Sequence, residues 1–195
     1  LEEIYKISTH KIAVVPSLVD TRSFFFNPEV RARKREELGI ERRIAFVYNG
    51  STVKWQLPEV TVAFFKKIKE MIPEAFLLFL TNDVSCARRY FEGMDRRDYL
   101  LTSVPYREVP TYLNAADMGI LLREKNLVNR VASPIKFGEY LCCGLPVIIT
   151  QGVGDTEEII EEYRIGILLD LEDMKIEKSN MIQLINNVER ERIAR

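Results

Sequence analysis

The chain has 195 residues, of which 47% are hydrophobic and 29% are charged, a composition typical of one globular domain rather than of disordered or collagenous sequence. Its formal net charge of −1 excludes the overall basic field that drives non-specific nucleic-acid binding, so we expect no nucleic-acid partner. No apolar run reaches the roughly 18 residues that a membrane-spanning helix needs.

Seven short apolar runs have the length of strands and are apolar on both faces, which is typical of a parallel sheet covered on both sides. They lie at residues 11–16, 43–48, 75–81, 98–103, 117–122, 145–150 and 165–170. Helical patterns lie at residues 29–38, 57–72, 84–93, 107–115, 133–143, 155–163 and 172–195. This alternation predicts right-handed βαβ units and one doubly wound, Rossmann-like α/β domain over residues 1–195, with no internal boundary.

The densest basic run of the chain falls in the first of the long helical patterns. Arg31, Arg33, Lys34 and Arg35 are followed at once by two glutamates. Mixed charges in such a run predict the solvated face of a helix rather than a binding surface.

Cysteine and histidine are too few to indicate metal chemistry. Cys86, Cys142 and Cys143 are an odd number without metal-ligand spacing, which favours small buried side chains in a reducing cytoplasm. His10 is the only histidine, which excludes His-rich zinc motifs and most catalytic triads. We therefore expect no metal and no bound cofactor.

In open parallel sheets, ligands bind where the carboxyl ends of strands lead into helices, so binding residues are expected in those loops. The loop YNGSTVKWQLPE (48–59) offers small residues, including Gly50 and Ser51, followed by Lys54. Exposed backbone amides there could hold a phosphate with Lys54 as a counter-charge. The alternative is an ordinary turn before a helix that begins near Pro58. Neither the dehydrogenase glycine motif nor the P-loop motif is present.

The loop and helix at REKNLVNRVASPIKFGEYLCCG (123–144) carry the second candidate site. Ser133 as the N-cap and Pro134 at the first helical position predict the start of the helix. Lys136 and Glu139, three residues apart, then share one face, where the carboxylate could accept both hydroxyls of a ribose and the lysine could attract a diphosphate. The two side chains could also pair with each other in solvent.

The third loop, TQGVGDTEEII (150–160), contains two glycines that allow close backbone approach. Asp155 and Glu158 have the spacing of a capping box. The loop could be flexible and the helix simply well capped, or Gly152 and Gly154 could present amides to a ligand beside the second loop.

The stretch from NRVASPIKFGEYLCCGLPVIIT through GVGDTEEII to RIGILL resembles the C-terminal, donor-binding half of the family four retaining glycosyltransferases, the group 1 type with a GT-B fold. KIAVVPSLVDTRSF, RIAFVYNGSTVKWQ and VPYREVPTYLNAADMGILL are similar to further segments of that domain. The resemblance covers nearly all of residues 11–170. The individual motifs are degenerate, but their order and spacing are specific.

The resemblance implies roles for individual residues. Glu139 corresponds to the second glutamate of the E-x7-E motif, which binds the nucleotide ribose, and Lys136 lies where a donor-side cation is common. Gly50, Ser51 and Lys54 fall in the loop that faces the pyrophosphate. The turn at residues 104–106, which ends at Tyr106, corresponds to the segment that contacts the base. Ser133 and Gly154 flank the same donor site.

Two positions depart from the family's pattern. The first glutamate of E-x7-E, set near the transferred sugar, is replaced by Val131, so Asn129 or Arg130 could take over that contact. Ser51 stands where many relatives carry arginine. These departures affect which donor the domain can bind and whether it can catalyse transfer.

The resemblance implies transfer of a sugar from a nucleotide-diphosphate donor to an acceptor hydroxyl, with retention and without a metal. The acceptor site of such enzymes belongs to an N-terminal domain, which we expect to be absent from this sequence, so we expect this piece alone to bind nucleotide and transfer nothing. We expect a cytoplasmic location, with any contact to the inner membrane face or to a membrane-associated glycan acceptor made through the missing half. The alternatives are a non-catalytic nucleotide-binding or interaction module on the same fold, and half of a nucleotide-sugar epimerase.

Overall fold

The structure, a computed structural model, describes residues 2–13, 15–187 and 189–194. Within these ranges the chain forms one sheet of six strands: β1 (Ile44–Asn49), β2 (Ala75–Leu80), β3 (Tyr99–Thr102), β4 (Met118–Leu121), β5 (Val147–Thr150) and β6 (Gly166–Leu169). All neighbouring strands are parallel, in the order β3-β2-β1-β4-β5-β6. The predicted doubly wound α/β fold is therefore confirmed.

The helices follow the strands in the predicted alternation. The α-helices are α1 (Glu2–Tyr5), α2 (Pro28–Leu38), α3 (Pro58–Met71), α4 (Val84–Ala87), α5 (Val109–Ala115), α6 (Leu127–Arg130), α7 (Ile135–Cys142), α8 (Thr156–Tyr163), α9 (Lys178–Asn187) and α10 (Arg190–Ile193). Short 3-10 helices lie at Thr9–Lys11, Lys54–Gln56, Arg88–Phe91, Arg96–Asp98 and Tyr106–Glu108. None of the helices in the described ranges is long and apolar enough to cross a membrane.

The two faces of the sheet pack into two separate cores. Ala45 and Val47 of β1 point into the core covered by α5 and α7, whereas Phe46 and Tyr48 point into the core covered by α3 and α9. Successive strand residues alternate between the faces, so a strand buried on both sides must be apolar throughout. This packing is why the central strands read as continuous apolar runs.

The predicted strand at residues 11–16 is wrong over the part that the structure describes. Lys11 ends a 3-10 helix, and Ile12, Ala13, Val15 and Pro16 are exposed and join no ladder. Val14 lies outside the described residues. An apolar run becomes a strand only where a neighbouring strand is free to pair with it, and this run lies away from the sheet.

Two predicted helices are shorter than the sequence indicated. The segment 84–93 is helical only from Val84 to Ala87, then tightens into a 3-10 turn that runs to Phe91. The segment 172–195 begins with turns in which Asp170 and Asp173 accept hydrogen bonds from nearby backbone N–H groups, and α9 starts only at Lys178. Short polar side chains that bond the local backbone compete with helix formation, which delays the start of α9.

The basic run of α2 is only partly a solvated face, so that prediction is wrong. Arg33 is exposed, but Lys34 and Arg35 are each 8% exposed. Arg31 and Arg35 both form ion pairs with Asp117 at the amino edge of β4. Asp117 also accepts the N–H of Ala45 at 2.7 Å, so one buried carboxylate joins α2 to both central strands.

We expect Asp117→Ala to destabilise the protein by about 3–5 kcal/mol, because it leaves two arginines without their buried partner. Urea unfolding followed by circular dichroism measures the change. Asp173→Ala is the matched control, because Asp173 is exposed and its contacts within the described ranges are an ion pair and a backbone hydrogen bond with Lys175. It should leave the unfolding midpoint nearly unchanged. Equal midpoints for the two variants would contradict the assigned role of Asp117.

Candidate functional site

A cleft of about 260 Å³ opens at the carboxyl edge of the sheet. Its walls come from the loops after β1, β2 and β3 and from the first turns of α7. The strand order reverses between β1 and β4, and such a switch point is where open α/β sheets bind ligands. A larger groove of about 1290 Å³ runs between α8 and β6 on one side and α9 and α10 on the other, and it holds none of the predicted site residues.

The cleft brings together half of the predicted site residues. Gly50, Ser51, Tyr106, Lys136 and Glu139 all line it. They come from three separate strand-to-helix connections, so only the closed fold makes them neighbours.

Glu139 is the acidic side chain of this cleft, and it is only 2% exposed. Its carboxylate oxygens accept hydrogen bonds from the Tyr106 hydroxyl at 2.8 Å and from Asn49 Nδ2 at 3.3 Å. Burial raises the pKa of the Glu139 carboxyl, and these two bonds and the charge of Lys136 lower it only in part. Because a carboxylate can accept about four hydrogen bonds, Glu139 keeps acceptor capacity for a ligand.

Tyr106 reaches Glu139 from the loop after β3. Its side chain is 64% exposed, and its ring packs at 5.4 Å from that of Phe24. Burial of the hydroxyl and its hydrogen bond to Glu139 raise the pKa of Tyr106 to about 12. Tyr106 therefore remains a neutral donor to the carboxylate across the physiological pH range.

The packing of Tyr140 fixes the place of Glu139. Tyr140 is fully buried, and a Cβ atom on Gly119 of β4 would lie only 2.5 Å from its ring. Only glycine at this position lets the ring lie against the strand. The Tyr140 hydroxyl then accepts the N–H of Asn49 at 2.9 Å, which ties α7 to the end of β1. Glu139, the preceding residue, is thereby held beside the loop after β1.

Lys136 shares the cleft-facing side of α7 with Glu139, as the sequence predicted. The two side chains form no ion pair among those that the described residues make. Burial lowers the pKa of Lys136, the charge of Glu139 raises it, and the charge of Arg123 lowers it further. The lysine is thus a half-buried cation beside a carboxylate that is already hydrogen-bonded to other groups.

The loop after β1 does not present the free amides that its sequence suggested. The N–H of Gly50 donates to Leu80 O at 3.0 Å, and that of Ser51 donates to Gln56 Oε1 at 3.1 Å. Together with the bond from Asn49 to Tyr140, this occupies three successive amides. The prediction of a phosphate-binding backbone nest at these residues is wrong, because the fold uses the amides itself.

The remaining predicted residues lie outside the walls of the cleft. Lys54 and Arg130 are exposed, and Ser133 Oγ accepts the N–H of Ser17 at 3.1 Å. Asn129 is buried and donates to Glu124 O at 2.7 Å, while its carbonyl accepts the N–H of Gly154 at 3.1 Å. Asn129 and Gly154 therefore join two loops to each other.

Two predicted caps are also wrong. The N-cap of α7 is Pro134, which makes no side-chain cap, because the Ser133 hydroxyl bonds the N-terminal segment instead. Asp155 makes no cap hydrogen bond at α8; the carboxylate of Glu157, rather than that of Glu158, accepts the N–H of Gly152. In both places a contact from outside the helix replaces the local one that the spacing favours.

Arg123 is the residue of this region that the sequence reasoning missed. It lies two residues after β4 and is 8% exposed, and its Nε has no hydrogen-bond partner within the described ranges. Burial lowers the pKa of its guanidinium, and the nearby Tyr48 and Tyr140 raise it only in part. The available signal was a lone arginine at the end of an otherwise apolar strand at the switch point.

Comparison with solved structures places this architecture among glycosyltransferases. WaaG, a glycosyltransferase involved in lipopolysaccharide biosynthesis, superposes with a TM-score of 0.67 at 17% identity, covering 100% of this chain and 50% of WaaG. A glycosyltransferase from Rickettsia africae ESF-5 gives 0.67 at 15% identity, covering 99% and 57%. Anabaena HepE, solved in complex with UDP and glucose, gives 0.64 at 15% identity, covering 90% and 50%. The chain thus spans about half the length of these proteins, and no curated protein sequence matches it.

The parallel sheet of six strands with helices on both faces defines a Rossmann-like domain of the GT-B fold. The sequence profile of the family described as "Glycosyl transferases group 1" matches residues 30–195. The chain belongs to this family.

We expect Glu139→Gln to change the stability of the protein in a pH-dependent way. Because the folded state raises the pKa of Glu139, this carboxylate costs stability as the pH rises above the ordinary value of 4.5 and through the folded value. Replacement by glutamine removes that cost. The free energy of unfolding is measured with urea for both proteins. The value for the variant minus that for the wild type should therefore increase as the pH rises from about 4.5.

Glu158→Gln on the exposed face of α8 is the matched control, because it makes the same chemical change away from the cleft. A Glu139→Gln difference that is flat over the same range would show that Glu139 titrates as an ordinary exposed carboxyl.

Proposed function

We propose that the cleft binds the nucleoside diphosphate part of a nucleotide-sugar donor. The observation that carries this proposal is Glu139, a buried carboxylate with spare acceptor capacity beside the half-buried Lys136, at the switch point of the sheet. Two buried charges that do not pair with each other lower the stability of a protein. Such charges are concentrated at sites that bind ligands.

Each charged group of the cleft suits one part of the donor. The carboxylate of Glu139 can accept both hydroxyls of a ribose, because a ribose presents two adjacent donors. Lys136 lies in the first turn of α7, where its charge adds to the positive end of the helix dipole and favours a diphosphate. Tyr106 and Val104 line the cleft on the side of β3 and would face the base.

The sugar would leave the diphosphate for an acceptor hydroxyl with retention at the anomeric carbon, in the synthesis of a glycan or a lipid-linked glycan. The bond between the anomeric carbon and the diphosphate oxygen breaks, the acceptor oxygen bonds to that carbon, and the acceptor proton leaves with the diphosphate. Cationic side chains stabilise the leaving diphosphate, so the proposed reaction requires no metal. We propose a hexosyl donor, and the uridine-containing complexes of HepE make UDP the first ligand to test.

The acceptor side belongs, in this proposal, to another domain of the parent protein. The chain spans about half the length of WaaG and HepE. We therefore propose that this domain alone binds the donor and transfers nothing, and that any contact with a membrane-associated acceptor at the cytoplasmic face is made by the other half.

A non-catalytic nucleotide-binding module is the second candidate, and one observation favours it. Val131 occupies the position of the glutamate that relatives set near the transferred sugar, and it is 82% exposed. Asn129, the neighbour that could replace this glutamate, is committed to Glu124 O. A module would bind the nucleoside diphosphate equally well but would not distinguish sugar donors from it.

We expect isothermal titration with UDP, GDP and ADP to detect binding of at least one of them. Glu139→Ala should weaken that binding roughly 10- to 100-fold, since two hydrogen bonds to a charged group are lost. Glu158→Ala, an exposed glutamate on α8, is the matched control and should bind like the wild type.

Parallel titration with the corresponding sugar donors separates the two candidates. Tighter binding of a sugar donor than of its nucleoside diphosphate supports the transferase, and equal binding supports the module. Unchanged affinity in Glu139→Ala would remove the assignment of the ribose site.

A further inference from the structure

Arg123 lies just outside the walls of the cleft, at the carboxyl end of β4. The hydroxyl of Thr150 accepts its N–H at 2.9 Å and donates to its carbonyl at 3.0 Å, which fixes its backbone against β5. The N–H of the next residue, Glu124, donates to Trp55 O at 3.2 Å, so the loop after β1 packs directly on this segment. Arg123 is thus held between β5 and the loop that carries Gly50 and Ser51.

Arg123 differs from the other buried arginines of the protein. Arg35 pairs with Asp117 and donates to four backbone carbonyls. The half-buried Arg190, whose Nε also lacks a partner within the described ranges, donates through its Nη atoms to Ala116 O, Asn114 O and Cys143 O. For Arg123, the described residues provide neither a carboxylate within ion-pair distance nor an acceptor for Nε. A buried guanidinium without an anion is costly, because it has lost its hydration without gaining a partner.

The amides of the loop after β1 do not supply the missing positive potential. The amides of Asn49, Gly50 and Ser51 all donate to groups of the protein. An anion beside this loop must therefore be held by side chains and by the amino end of α7. Lys136 is the cation that lines the cleft, and burial lowers its pKa, with the charge of Arg123 lowering it further.

We propose that Arg123 is the second cation of the diphosphate site and binds the anion together with Lys136. The proposal rests on the proposed function for the identity of the ligand. With Lys136 and Glu139 alone the formal charges of the cleft cancel, whereas Arg123 leaves a net charge of +1 to face a diphosphate. Guanidinium groups also suit phosphate oxygens, because their planar fork donates two parallel hydrogen bonds.

The test compares Arg123→Met, Arg123→Lys and the control Arg42→Met by titration with inorganic pyrophosphate, UDP and uridine. Arg42 is an exposed arginine at the opposite, amino edge of β1. We expect Arg123→Met to weaken binding of pyrophosphate and UDP roughly 10- to 100-fold. Uridine binding should change by less than about twofold, since the nucleoside carries no phosphate.

Urea unfolding of the free protein provides a readout that separates ligand binding from a structural role. Removing an unpaired buried charge should leave the midpoint of Arg123→Met equal to or above that of the wild type. A structural arginine would instead lower the midpoint. Arg123→Lys keeps the charge without the fork, so it should recover part of the affinity for pyrophosphate.

The outcomes decide the proposal without ambiguity. Wild-type affinity of Arg123→Met for pyrophosphate and UDP would overturn it while leaving the nucleotide site intact. If Arg123→Met does not fold, Arg123→Lys provides the test. The proposal then requires that Arg123→Lys folds and binds pyrophosphate more weakly than the wild type. Any other result would show that the role of Arg123 is structural. The protein could bind pyrophosphate through Arg123 but bind neither UDP, GDP nor ADP. That result would support the anion site and contradict the proposed function.

Discussion

The hydrogen bond from Asn49 to the buried hydroxyl of Tyr140 is the contact on which the cleft depends. It joins the end of β1 to α7, and it forms only because Gly119 lets the tyrosine ring lie flat against β4. Glu139 and Lys136 lie on the same helix, so their places relative to the loop after β1 follow from this packing. The positions of the charged groups are thus set by an apolar core and one polar atom within it.

The buried charges at the two edges of the sheet differ in whether they form ion pairs. At the amino edge, Asp117 pairs with Arg31 and Arg35 and also accepts a backbone N–H. At the carboxyl edge, Lys136 and Arg123 form no ion pair among those of the described residues, and burial lowers the pKa of each. The first arrangement stabilises the fold. The second opposes it, and a fold retains such a cost where a ligand is bound.

The sequence predicted the sheet and the helices well because burial on both faces makes the central strands continuously apolar. It also placed Lys136 and Glu139 on one face, since helical spacing is local information. It missed contacts between distant segments: the pairing of Arg31 with Asp117, the bond from Ser17 to Ser133, and the bonds of the Asn49 and Gly50 amides to Tyr140 and Leu80. Each depends on a partner that spacing along the chain cannot identify.

The two departures from the pattern of relatives have different consequences in the proposed donor site. Ser51 lacks the positive charge expected in its loop, but Arg123 lies under that same loop, so the charge is supplied from β4 instead. Nothing comparable replaces the glutamate at Val131, because Asn129 is bonded within its own loop and Arg130 is exposed. Under this proposal the lost contact to the diphosphate is compensated within the fold, whereas the lost glutamate contact to the sugar is not. A domain built this way would recognise the nucleotide strongly and leave the choice of sugar to contacts made outside the cleft.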